Sequence, residues 1–129
     1  MKKVLIIDDD APICWLLGKI LQEKYEVILM NNGMEAWSWL SEKNLPDLVI
    51  SDINMPSLNG MDLLENLSMS TLLKDIPVIM LSGYEDGQKR KQCLDLGAHA
   101  YVAKPFQPQS LLEEVNYALT SKRKTVLSD

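Results

Sequence analysis

Two kinds of apolar pattern alternate along the chain. Short continuous apolar runs occupy residues 3–7 (KVLII), 26–30 (EVILM), 47–51 (DLVIS), 77–81 (PVIML) and 100–103 (AYVA). Their length and branched residues predict buried β-strands. Between them, apolar residues recur at the spacing of a single helix face. Ile13, Leu16, Leu17, Ile20 and Leu21 follow the first run, and Ala36, Trp37 and Leu40 mark a second helix over 34–43. Leu63, Leu64 and Leu67 mark a third over 60–69, and Leu111, Leu112, Val115, Ala118 and Leu119 mark a last helix opened by Pro108. The fourth helix, 85–96, has a thin apolar face of Cys93, Leu94 and Leu96 against the polar run 88–92, so it is expected to be the least firmly anchored. Turn chemistry punctuates the pattern: Pro12 suits a first helical turn, Asn31-Asn32-Gly33 breaks the second strand, and Gly97 suits a helix C-cap.

Five strands alternating with five helices over short connections specify an α/β fold, a parallel sheet covered on both faces. The expected architecture is the flavodoxin-like doubly wound sheet, order 2-1-3-4-5, with the third strand central and the second at an edge. The 129 residues suit one domain, 1–120, followed by a polar tail or linker stub, 121–129. No apolar run approaches a membrane span, and the opening Met1-Lys2-Lys3 is followed by too short an apolar stretch for a signal peptide. A cytoplasmic protein is expected. Cys14 and Cys93 lie far apart in helical patterns and read as reduced packing residues. Eighteen acidic residues against thirteen basic, net −5, argue against nucleic acid as a direct partner but not against a divalent cation.

In a parallel sheet every strand ends on the same side, so the residues at those ends are brought together. The first strand ends in Asp8-Asp9, the fourth in Ser82 and the fifth in Lys104. The third ends at Asp52, which stands just past the run in the stretch VISDINMPSLNG. Neighbouring strands lie about 4.8 Å apart, so Asp8, Asp9 and Ser82 can reach Asp52 with short side chains. The fifth strand is two places away, roughly 10 Å, a gap that only a long side chain such as Lys104 crosses. Two carboxylates about 4 Å apart repel by roughly 4 kcal/mol at an effective dielectric near 20. Three carboxylates and one lysine therefore hold a proton or bind a cation. Hard oxygens without a nearby His or Cys favour Mg²⁺, or Mn²⁺, over zinc. A carboxylate beside such an ion and an ammonium suits nucleophilic attack on phosphorus, with the Ser82 hydroxyl able to donate to the transferring group.

These pieces, VLIIDDD at 4–10, SDINMPSLNG at 51–60, PVIMLSG at 77–83 and GAHAYVAKPF at 97–106, resemble the CheY-like receiver domain of two-component response regulators. The resemblance runs over nearly the whole chain. It implies that Asp52 accepts a phosphoryl group from a histidine kinase. It implies a Mg²⁺ site made by Asp9, Asp52 and the backbone carbonyl of Asn54, with Asp8 acting through water. It implies Ser82 as the switch hydroxyl, Tyr101 as the aromatic that turns inward, Lys104 as the contact to the phosphoryl oxygens, and a cis Lys104-Pro105 bond. Tyr84, two residues past Ser82, is expected with Asn54 to set how fast the acyl phosphate hydrolyses. Asn59 stands where the family often has Asp, and Gln107 replaces the more usual Asp before Pro108, a poorer helix cap.

The implied partners are a sensor histidine kinase or phosphotransfer protein upstream, and an effector protein or output domain downstream. The face of the fourth helix, fifth strand and last helix would carry the signal. Homodimer formation on phosphorylation is left open, and no external substrate is turned over. Trp15 lies beside the acidic edge, where it could touch a kinase helix, whereas His99 reads as surface and the run Lys89 to Lys91 as a solvated face or, if the fourth helix is loosely held, part of the output surface. Two rivals stand beside this reading. One is an aspartate-nucleophile phosphohydrolase, suggested by Asp8-x-Asp10 but disfavoured by Pro12. The other is a receiver-like interaction module that works without phosphorylation, which intact Asp52, Ser82 and Lys104 disfavour.

Overall fold

The computed structural model describes residues 1–83 and 86–120. The elements alternate as read from the pattern: β1 (Lys3–Ile7), α1 (Ala11–Leu21), β2 (Glu26–Met30), α2 (Gly33–Ser41), β3 (Leu48–Asp52), α3 (Gly60–Ser68), β4 (Val78–Ser82), α4 (Gly87–Asp95), β5 (Ala100–Ala103) and α5 (Pro108–Thr120). The five strands form one sheet in the order β2-β1-β3-β4-β5, and every neighbouring pair is parallel.

Strand side chains alternate between the two faces, and that alternation divides the core. Val4, Ile6, Leu48, Ile50, Ile79 and Leu81 pack against α1 and α5. Leu5, Ile7, Val49, Met80 and Tyr101 face the other way, against Ala36 and Leu40 of α2, Leu63, Leu64 and Leu67 of α3, and Cys93 of α4. β3 is buried at every position because it has a strand on each side and helices on both faces. β2, at the edge, leaves Glu26 and Leu29 exposed.

Local chemistry sets the helix ends. Asp10 caps α1 by accepting the Ile13 N–H at 3.3 Å, with Pro12 in the first turn. Asn32 accepts the Glu35 N–H at 2.7 Å and starts α2. Asn59 accepts the Asp62 N–H at 2.9 Å, so the replacement that stood out from the family pattern is a satisfied cap. At the start of α5, the carbonyl of Gln107 accepts the Leu111 N–H. α4 opens on Asp86, which accepts from Gln88 and Lys89. It closes on Gly97, whose φ of 105° is the left-handed conformation glycine tolerates best. α4 contributes one fully buried residue, Cys93, the thin anchorage its composition implied.

Boundaries differ slightly from the pattern. β3 and β4 each begin and end one residue later than expected, because backbone pairing carries Asp52 and Ser82 into the sheet. Asp52 is therefore the last residue of its strand rather than a residue just beyond it. The expected start of the fourth helix at residue 85, and the tail 121–129, lie outside the described residues.

Candidate functional site

The carboxyl ends of β1, β3 and β4 form one floor, and the connection after β5 closes it. Asp8 follows β1, and its N–H donates to the carbonyl of Met30 at 3.1 Å. Its side chain turns inward and accepts the Asp10 N–H at 2.9 Å. Asp8 is fully buried, Asp52 is 5% exposed, and Asp9 is open to solvent. One carboxylate oxygen from each of Asp8, Asp9 and Asp52 lies within 4.8 Å of the others. Ser82, 1% exposed, ends β4 on the neighbouring strand.

Lys104 crosses from the far side, as the two-strand gap requires. Its Nζ lies 3.2 Å from Asp8 Oδ2 and 3.2 Å from Asp52 Oδ1. The backbone N–H of Lys104 donates to the Ser82 carbonyl at 2.6 Å, which ties the connection to the end of β4. The Lys104-Pro105 bond is cis.

Burial raises the pKa of both inner carboxyls above the ordinary aspartate value, partly offset by Lys104. For Asp52 the neighbouring charge of Asp8 adds to the rise. For Asp8 the Asp10 N–H also works against it. Burial disfavours the charge on Lys104, yet the two carboxylates together outweigh it and hold the ammonium above its ordinary range. The resting site is thus over-supplied with negative charge that one lysine does not fully neutralise. That surplus, and an oxygen-only donor set open at Asp9, fit a hard divalent cation such as Mg²⁺.

The other expected residues are placed as follows. Asn54 is exposed in the loop after β3. Tyr101 on β5 is 4% exposed, with its ring turned into the core. Tyr84 lies outside the described residues. Trp15 is 62% exposed, with Lys19 Nζ 5.4 Å from the centre of its ring. His99 is half-buried against Tyr117, ring centres 5.4 Å apart. Cys14 and Cys93 are buried and reduced, on opposite faces of the sheet.

Three contributors escaped the sequence pattern. A Cβ on Gly60 would fall on the backbone carbonyl oxygen of Asp52 and 2.8 Å from the Cα of Ile53. A Cβ on Gly33 would fall on the carbonyl of Leu58, in the loop between Asp52 and α3. Gly33 reads as a strand-breaking turn residue and Gly60 as an ordinary helix start, and only the tertiary approach shows why a side chain is excluded. The third is Arg90, whose guanidinium lies 4.9 Å from the centre of the Tyr101 ring.

An acid cluster bridged by a lysine, at the carboxyl edge of a five-stranded 2-1-3-4-5 sheet, defines a class of protein. The model of the response regulator receiver domain matches residues 4–116, and the chain belongs to that family, a component of two-component signalling. It is 33% identical over 119 residues to the phosphate regulon transcriptional regulatory protein PhoB of Pseudomonas aeruginosa, covering 92% of this chain and 52% of PhoB. It is 32% identical over 119 residues to the chemotaxis protein CheY1 of Helicobacter pylori, covering 91% of this chain and 96% of CheY1. The chain thus spans about half the length of the first curated relatives it matches, and nearly all of CheY1. The high-resolution structure of the chemotaxis response regulator CheY4 of Vibrio cholerae superposes with a TM-score of 0.84 at 32% identity, covering 92% of this chain and 99% of that one. Among the described residues, no helix is long and apolar enough to cross a membrane.

Proposed function

We propose that the chain is a phosphoacceptor switch in which Asp52 takes a phosphoryl group from the phosphohistidine of a sensor kinase or phosphotransfer protein. The observation that carries this reading is the bridge of Lys104 to Asp8 and Asp52, 3.2 Å each, with Asp9 at the solvent side. A carboxylate oxygen of Asp52 attacks phosphorus, the O–P bond forms as the N–P bond breaks, and the imidazole leaves with the electron pair. Lys104 then neutralises phosphoryl oxygens, and the Ser82 hydroxyl donates to them. Asp9 and Asp52, with the backbone carbonyl of Asn54 and with Asp8 acting through water, would hold Mg²⁺ or Mn²⁺. When bound, the cation supplies charge compensation at the phosphoryl oxygens.

Phosphorylation adds about −1.5 to −2 charge at Asp52. Ser82 moves toward the new oxygens, Tyr101 responds, and the α4-β5-α5 face presented to an effector or output domain changes. Asn54, with Tyr84, tunes hydrolysis of the acyl phosphate. A decay time unaltered by Tyr84→Ala removes Tyr84 from that role. The protein works in the cytoplasm and turns over no external substrate, catalysing only its own phosphorylation and dephosphorylation. The test is intact mass after incubation with acetyl phosphate and Mg²⁺. The wild type is expected to gain about 80 Da and Asp52→Ala to gain nothing. A wild type that never gains this mass from acetyl phosphate or a kinase phosphohistidine contradicts the proposal.

A further inference from the structure

The basic run on α4 reads from sequence as a solvated face, but its members part ways in the structure. Lys91 pairs along the helix with Asp95 at 2.8 Å and stays in solvent. Arg90 is half-buried, with its guanidinium turned to the sheet, 4.9 Å from the centre of the Tyr101 ring. The negative face of an aromatic ring attracts such a cation, and the attraction strengthens where water is partly excluded. α4 has only Cys93 fully buried, and the contact of Arg90 with Tyr101 adds to that thin anchorage on β5.

Beside the pair lies an open groove of about 640 Å³ between α4 and α5. Val102 and Ala103 of β5 line it, as do Glu113 and Glu114 of α5, and both Arg90 and Tyr101 border it. That groove is the space open to a Tyr101 side chain that leaves the core.

We propose that Arg90 is the positioning residue that favours the inward position of Tyr101, so that α4 and this aromatic move as one unit. The signalling consequence rests on the reading of Asp52 as phosphoacceptor, while the holding contact does not. A change at Asp52 that reaches Tyr101 is then passed to α4 through Arg90. By reciprocity, a partner that draws Arg90 away shifts the Tyr101 equilibrium by the same factor. A cation over a partly desolvated ring changes the inward-to-outward ratio roughly two- to five-fold.

The test is fluorine NMR of protein labelled with fluorotyrosine, with Tyr101→Phe assigning the resonance among the four tyrosines. The solvent-isotope shift of that resonance reports exposure of the ring. Arg90→Leu and Arg90→Gln, which remove the charge, are expected to raise the exposed fraction roughly two- to five-fold, and Arg90→Lys to fall between them and wild type. Exposure unchanged in Arg90→Leu, or Arg90→Lys indistinguishable from Arg90→Leu, overturns the proposal, because bulk and not charge would then set the ring. A second arm adds beryllofluoride with Mg²⁺ to the wild type and to Arg90→Leu. In Arg90→Leu, where the exposed fraction is raised, the same addition is expected to lower it; exposure unchanged there speaks against Asp52 as phosphoacceptor and leaves the comparison of Arg90 variants without beryllofluoride to be judged by itself.

Discussion

Asp8 and Asp52 carry more negative charge into the sheet than Lys104 balances, and two measurable consequences follow from those three side chains. Both carboxyls have pKa values raised chiefly by burial, so the folded chain holds their protons to higher pH than the unfolded chain does. Their contribution to stability is present in acid and is lost as pH rises through the raised values. Metal-free wild type should therefore lose thermal stability across that window. Asp52→Asn should flatten the loss and raise the neutral-pH midpoint. An equal or lower midpoint in differential scanning calorimetry contradicts this. Lys104 is raised as well, so its contribution is intact below the ordinary lysine value and fades as pH climbs through the raised one. Lys104→Ala leaves Asp8 and Asp52 without their bridging cation. It should cost on the order of 2 kcal/mol, less than for a fully buried pair because the ammonium keeps some contact with solvent. It should also slow phosphorylation by acetyl phosphate about 10²- to 10³-fold. Retained stability and rate together would remove Lys104 from the site.

Among the elements, α3 and α4 sit at opposite extremes of constraint. α3 begins against the strand that ends in Asp52: the Gly60 N–H donates to the Ile53 carbonyl at 2.8 Å, and the Gly60 Cα faces the Asp52 carbonyl. Gly60→Ala should cost about 1–3 kcal/mol in urea unfolding, since the obstacle is backbone and cannot swing aside. A midpoint equal to wild type would mean that α3 shifts freely. α4 buries only Cys93 fully and sets Arg90 over the Tyr101 ring. Its amides should exchange with deuterium sooner than those of α1, α3 and α5, and equal protection would contradict the thin anchorage. The helix types and most of their inward faces were legible, because 3.6-residue periodicity is a local property; Leu16 and Leu94, expected on those faces, are instead 40% and 43% exposed, since Cys14, Leu17, Gly18 and Leu21 form the buried side of α1 and Cys93 alone that of α4. The tight approaches at Gly33 and Gly60, and the fate of Arg90, were not, because each depends on what a distant segment places opposite. The one-residue shift of β3 and β4 has the same origin: apolar runs mark the buried stretch, while pairing with neighbours decides where a strand stops.

Across the whole molecule, the parallel sheet and its order follow from alternation of the two periodicities and short connections, with no single residue deciding. That order turns separated residues into one site. Asp8, Asp9, Asp52 and Lys104 were legible as a group once strand ends were aligned, and the strand spacing alone required a long side chain at position 104. The coarse function follows from belonging to the receiver family over residues 4–116. The covalent chemistry at one side chain remains the central claim, and it can be tested at that side chain. Protein treated with acetyl phosphate and Mg²⁺ should be reduced with borohydride, which converts an aspartyl phosphate to homoserine, and the peptide spanning β3 should be sequenced by mass spectrometry. The account predicts homoserine at position 52 alone. Homoserine at position 8 or 9, or an unaltered Asp52 in protein that has gained phosphate, contradicts it.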